Sequence, residues 1–185
     1  MWPRLVAALL VAAGPAAATG IEITVAGEGG NGVVAIDLLE DVAPGHVDRI
    51  TTLAASGAYD NVAFHRVIEG FMAQTGDVQH GVLGDGYDAR RAGTGASDMP
   101  DLPQEFSDVP FDAGIVGMAR SSAVDSANSQ FFIMFAPGYF LNNQYTVVGR
   151  VTSGQDVVNA IKKGHPRSGA ITGAPDRIVS VTVTE

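Results

Sequence analysis

Two stretches of the sequence concentrate side chains that could do chemistry. The first is Phe64-His65-Arg66-Val67-Ile68-Glu69-Gly70-Phe71-Met72-Ala73-Gln74-Thr75-Gly76-Asp77. The second runs Gly117-Met118-Ala119-Arg120, then Asn128-Ser129-Gln130-Phe131-Phe132-Ile133, and on to Phe140-Leu141-Asn142-Asn143-Gln144-Tyr145. In a strand over residues 62–67, side-chain alternation puts Phe64 and Arg66 on one face and His65 on the other; over 71–75 it pairs Phe71 with Ala73 and Met72 with Gln74. An arginine and a glutamine within the strands of a small β-domain are unfavourable if buried without partners, so a groove is the natural place for them.

Other chemistries lack their parts. Ser129 lies in Asn128-Ser129-Gln130 and not in a G-x-S-x-G elbow, and His46, His65, His80 and His165 show no spacing of the H-E-x-x-H kind. The sequence contains no cysteine, which removes thiolate nucleophiles, disulfides and cysteine metal sites. Gly81, Gly84, Gly86, Gly93 and Gly95 fall in a long segment between Asp77 and Glu105, but no strand feeds them and no lysine is placed as in a phosphate-binding loop. Ordinary core packing accounts for Phe64 and Phe131, and His65 reads as readily as a structural imidazole as a wall of a site.

The elements that must hold these groups are short apolar runs punctuated by Gly, Pro, Asn and Asp, the texture of a β-rich domain. Ile21, Ile23 and Val25 alternate with polar neighbours, and further strands are expected over 32–39, 62–67, 71–75, 115–119, 130–135, 145–151 and 178–184. That makes eight, enough to close an antiparallel barrel with no exposed edge. Two short helices are expected as plugs for its open ends. One starts at Pro44, repeats Val47, Ile50 and Leu53 or Ala54 on one face, and stops at Gly57. The other has Ser153 as N-cap, Asp156 in its first turn, Val157 and Ile161 four apart, and Gly164 at its end.

The 185 residues suit a single domain, and a formal charge of −9 with scattered basic residues argues against binding nucleic acid or an anionic membrane surface. At the N-terminus, Arg4 precedes an apolar stretch from Leu5 to Ala13, with small residues at Ala16, Ala17 and Ala18. This is the layout of a secretory signal peptide over residues 1–18, leaving a domain over 19–185 that is exported and no longer inserted in a membrane. Gly14-Pro15 cuts the apolar run well short of the ~20 residues a spanning helix needs.

Both blocks resemble the signature segments of the cyclophilin family of peptidyl-prolyl cis-trans isomerases, in the same order and with matching local spacing, and the similarity covers nearly the whole of 19–185. The run Gly117-Met118-Ala119-Arg120-Ser121-Ser122 and the long loop before Glu105-Phe106 are closer to bacterial members. The resemblance implies a mainly β fold, a closed eight-stranded barrel capped by two helices, and a catalytic arginine at Arg66. It places Phe71, Gln74, Gln130, Phe132, Leu141 and Tyr145 in the catalytic groove, and His65, Met72, Gly93, Ala119, Arg120, Ser121 and Phe140 around the substrate.

The reaction so implied needs neither metal nor organic cofactor. Its partners would be X–Pro segments of unfolded or exported polypeptides, with the protein acting as a monomer in the periplasm or medium. Phe140 stands where eukaryotic members have Trp, Tyr145 where they have His, and Arg120 where they have Asn; the first points to weak binding of cyclosporin-type ligands. The alternative is a module that holds proline-containing segments in the same groove without turnover.

Overall fold

The computed structural model describes residues 19–185; the signal peptide expected over 1–18 lies outside the described residues. The strands are β1 (Gly20–Ala26), β2 (Gly32–Leu38), β3 (Arg66–Ile68), β4 (Met72–Thr75), β5 (Ile115–Met118), β6 (Phe131–Met134), β7 (Val147–Ser153) and β8 (Arg177–Thr184). Two helices, α1 (Pro44–Ala55) and α2 (Gln155–Ala160), and a single 3₁₀ turn, Tyr139–Leu141, complete the elements. All strand pairs are antiparallel, in the order β3-β4-β6-β5-β7-β2-β1-β8. Among the described residues no helix is long and apolar enough to cross a membrane.

The sheet curls but does not close as the expected barrel. Its end strands, β3 and β8, form no ladder with each other; the seam is stitched by isolated bridges, Ala63 to Arg177 and Arg66 to Ala170. Two further backbone bonds cross it, Phe64 N–H to Asp176 C=O and Ile178 N–H to Val62 C=O, each 2.8 Å. The segment 62–65, buried at every position, makes single bridges to two separate partners, Val62 to Val82 and Ala63 to Arg177, in place of a ladder. Regular strand geometry begins only at Arg66, so the expected strand over 62–67 is displaced to Arg66–Ile68, and Phe64 joins the main core while Arg66 does not.

Elsewhere periodicity predicts packing. Ile21, Ile23 and Val25 alternate into the main core with Val34, Ile36 and Leu38 from β2. Helix α1 buries Val47, Ile50, Leu53 and Ala54 against the same core, with Pro44 in its first turn and Gly57 at φ 71° just past its end. Its free N–H groups at Gly45 and His46 donate to the Glu105 carboxylate, each at 3.2 Å. Helix α2 departs from expectation at both ends. Ser153 closes β7, and the N-cap is Gly154 at φ 82°, a left-handed conformation in which a Cβ would strike the Val33 backbone. The helix stops at Ala160, ahead of Gly164, because Ile161 turns to an extended backbone and buries its side chain.

That turn delivers the Lys162 N–H to Asp176. The Asp176 carboxylate, 1% exposed, accepts from Gly30 N–H at 2.6 Å, Lys162 N–H at 2.9 Å and Gly29 N–H at 3.1 Å. It thus ties the β1–β2 turn, the end of α2 and the start of β8 to one buried charge. Asp176→Ala strands the buried Gly30 donor fully and the half-buried Gly29 and Lys162 donors in part. An unmet buried group costs about 1–3 kcal/mol, so urea unfolding should show a loss of at least ~1 kcal/mol, and a loss under ~0.5 kcal/mol would show that water replaces the carboxylate freely.

Candidate functional site

Strand register assembles the site on the outer face of β3, β4, β6 and β5. Arg66 lies opposite Gln74, Gln74 opposite Phe132, and Phe132 opposite Gly117. Beneath them Met72, Phe132, Met134, Ile115, Val147, Phe111 and Leu141 form a second apolar cluster, separate from the main core on the other side of the same strands. Gly117 is required there, because a Cβ would overlap the rings of Phe132 and Phe111. Phe132 stacks on Phe111 at 5.8 Å and meets Tyr145 edge-to-face at 5.7 Å, geometries that aromatic quadrupoles favour.

Over this floor opens a recess of about 450 Å³, and every residue lining it is one of the predicted positions. Arg66 projects from one side, half buried, with Nη1 donating to Gln74 Oε1 at 3.3 Å and Nε to the Ser168 carbonyl at 3.2 Å. Burial lowers the Arg66 pKa, but a guanidinium keeps its charge at any physiological pH. Phe71, Met72, Phe132, Leu141 and Tyr145 supply the apolar wall. Met72 and Gln74 share a face as alternation requires, whereas Phe71 reaches the recess from the turn ahead of β4. Phe140, 72% exposed, leans on Phe71 at 5.5 Å on the rim.

A second recess, of about 340 Å³, adjoins the first and shares Gln74, Ala119 and Arg120 with it. Gly93, Ser121 and Gln130 line this one. Gln130 is the hinge between them: its Oε1 accepts from Gln74 Nε2 at 3.0 Å, and its Nε2 donates to the carbonyls of Gly93 at 3.1 Å and Gly95 at 2.8 Å. Arg120 sits on the saddle, its guanidinium 4.6 Å from the Tyr145 ring centre and bonded to the carbonyls of Gln144 and Ser121.

His65 is the predicted position that lines neither recess. Its ring packs behind Gly93, which has φ 93° and no room for a side chain. Burial holds its pKa below the ordinary imidazole value, against the pull of the Asp77 charge, so the ring is neutral at pH 7 and contributes packing. Thr94, Ala96, Asp101 and Ser126, in contrast, line the second recess without having been named from sequence, and Gly95, Asn128 and Ser129 line it without having been assigned to the site. Behind them Asp77, fully buried, accepts four backbone N–H bonds, from Gln79, His80, Gly93 and Gly95. Its place at the end of the first block was the available signal.

The arrangement offers directed N–H donors over an apolar cup. Ser129 Oγ is buried with no hydrogen-bond partner, so no nucleophile with its base is assembled there, and among the described residues no three His, Asp, Glu or Cys side chains converge as a metal site requires.

Comparison with known proteins agrees with this geometry. The family model described as cyclophilin type peptidyl-prolyl cis-trans isomerase/CLD matches residues 21–183. A probable peptidyl-prolyl cis-trans isomerase of Brucella suis biovar 1 is 58% identical over 153 residues, covering 83% of this chain and 78% of that protein. The one from Brucella abortus (strain 2308) is 57% identical over the same length. Among solved structures, cyclophilin AquaCyp293 from Hirschia baltica superposes with a TM-score of 0.70 at 26% identity, over 88% of this chain and 73% of that one. A cyclophilin type peptidyl-prolyl cis-trans isomerase of Cryptosporidium parvum shares the fold at 22% identity, with a TM-score of 0.74 over 91% of this chain and 99% of that one. From first strand to last, the chain belongs to the cyclophilin-type peptidyl-prolyl cis-trans isomerases.

Proposed function

We propose that this isomerase acts on X–Pro bonds of exported polypeptides, with Arg66 as its catalytic group and the recess beneath it as the proline site. An amide resists rotation because resonance gives its C–N bond double-bond character, a barrier of ~18–20 kcal/mol. No proton moves and no bond breaks; the catalyst must bind the twisted amide more tightly than either planar isomer. As the amide twists, the prolyl nitrogen leaves conjugation and becomes a better hydrogen-bond acceptor. Arg66 carries the assignment, since its guanidinium is held at the rim of the recess by Gln74 and Ser168 and is charged at all relevant pH. Met72, Phe132 and Leu141, each under a tenth exposed, would clasp the pyrrolidine ring and exclude water, which strengthens the arginine's contact.

Export is supported by the signal-peptide pattern of 1–18 and by one contact at the first described residue. The Thr19 backbone nitrogen lies 2.7 Å from Glu40 Oε1, so cleavage after Ala18 would leave an α-ammonium beside a carboxylate. The bacterial-type run through Arg120 and the long loop before Glu105 support a reading in which it belongs to the bacterial branch and acts as a monomer in the periplasm or the medium. Mass spectrometry of protein recovered from the cell envelope or medium should find Thr19 at the N-terminus; soluble exported protein retaining Met1 would refute the processing.

Arg66→Ala should lower kcat/KM by about 10²–10³, the loss typical of one transition-state donor worth ~2.7–4 kcal/mol, with folding preserved by circular dichroism. Arg66→Lys should fail substantially too, because an ammonium does not reproduce the planar fork. Folded Arg66→Ala that isomerised a proline peptide within about twofold of wild type, a difference of only ~0.4 kcal/mol, would remove Arg66 from the centre of the mechanism and favour a module that only holds its ligand.

Cyclosporin-type ligands should bind weakly. Phe140 presents a bare ring on the rim, with no indole N–H to donate, and one hydrogen bond is worth ~0.5–1.5 kcal/mol. Titration should show Phe140→Trp tightening the affinity by up to about tenfold; equal affinities would show that this position does not govern the ligand.

A further inference from the structure

We propose that the groove prefers X–Pro segments bearing a carboxylate side chain within two residues of the proline, and that Arg120 is the specificity-determining residue. This rests on the reading of the Arg66 recess as the proline site. The chain carries a formal charge of −9, yet the recess is lined by two guanidiniums, Arg66 and Arg120, and by no carboxylate. It is a positive spot in an acidic molecule, which attracts an anionic group on the ligand as it approaches.

Neither arginine forms an ion pair with a carboxylate among the described residues. Arg66, bonded to Gln74 and Ser168, is taken up by the prolyl nitrogen in the proposed mechanism, which leaves Arg120 as the cation open to a ligand side chain. Its N–H groups reach only neutral carbonyls, Gln144 at 2.8 and 3.1 Å, Ser121 at 2.9 Å and Ser122 at 3.4 Å, while its plane lies over Tyr145. Those contacts fix the side chain and leave its charge unneutralised, so a ligand carboxylate meets a cation already in position and little side-chain entropy is lost on pairing.

Placement fixes where that carboxylate must be. Arg120 lines both recesses, so a segment with its proline in the first and its neighbouring residues in the second crosses Arg120 next to the X–Pro bond. Further along, the second recess is lined by Asp101, whose carboxylate accepts from Asn128 Nδ2 at 2.9 Å. A ligand carboxylate is therefore favoured beside the proline and disfavoured deeper in the second recess.

The test uses peptides capped at both ends, with Glu, Gln or Lys at one of three places: two residues before the proline, one before, or one after. Exchange NMR measures the isomerisation without a coupling protease. At low salt, wild type should turn over the Glu peptide with kcat/KM roughly three- to tenfold above the Lys peptide at one or more of these places, as expected for one gained and one repelled near-surface charge. The ratio should shrink at about 0.5 M salt. Arg120→Gln should bring it within about 1.5-fold of unity, well inside the range of one exposed pair, while Arg120→Glu should invert it and Arg120→Lys should keep it. A general loss of structure would lower all peptides together and leave the ratio standing. Equal Glu and Lys rates in wild type at all three places, or a ratio unchanged in Arg120→Gln, would overturn the proposal. Failure of wild type to turn over even the Gln peptides would strike the isomerase reading of this groove, and the proposal with it.

Discussion

The buried carboxylate of Asp77 is the constraint on which the geometry of the groove depends. Burial by itself would raise its pKa, but four backbone N–H donors outweigh that and hold it below the usual carboxylate value. Its folded pKa is therefore depressed, so the stability it lends is present above the unfolded value and is lost as pH falls through the folded one, in the acid range. Two of the donors, Gly93 and Gly95, turn their carbonyls to Gln130, whose other end holds Gln74, which in turn meets Arg66. One continuous hydrogen-bonded path thus runs from a charge in the interior to the guanidinium over the recess, and each link restricts the rotamers of the next.

The sheet supplies the other half of that rigidity. β4, β5 and β6 are packed on both faces, by the main core on one side and by the Phe111–Phe132–Leu141 cluster on the other. A groove built on strands buried twice over has little freedom to rearrange, which suits a reaction whose catalysis consists of binding one distorted geometry better than two relaxed ones. The openness of the barrel seam is compatible with this, because the seam lies at the ends of the sheet, where Ala63 and Arg66 bridge to 177 and 170.

Much of this could be read from residue order. The alternation of Ile21, Ile23 and Val25 and the apolar face of α1 led directly to core positions, since local period and burial agree there. The resemblance carried by the two blocks named every residue that lines the recess under Arg66. What escaped did so for physical reasons. The segment 62–65 pairs through single bridges to Val82 and Arg177, distant partners that no local period records. Gly154, and not Ser153, starts α2 because of a close approach of the Val33 backbone that no sequence period records. Asp77 organises a loop through N–H groups 16 and 18 residues further on, and backbone donors look the same whatever the side chain. For that reason Thr94 and Ala96, which flank the Gly95 donor, became legible as lining only in three dimensions.

In the proposed mechanism Gln74, which accepts a 3.3 Å bond from Arg66 Nη1, serves by aiming the guanidinium and not by an independent contact of its own. A double-mutant cycle on kcat/KM for one proline peptide, using Arg66→Ala, Gln74→Ala and the pair, separates the two roles. If Gln74 works through Arg66, its removal lowers kcat/KM several-fold with Arg66 present and changes it little in the Arg66→Ala background, an interaction of at least ~1 kcal/mol. Losses that simply add, within ~0.3–0.5 kcal/mol, would mean that Gln74 acts independently of Arg66.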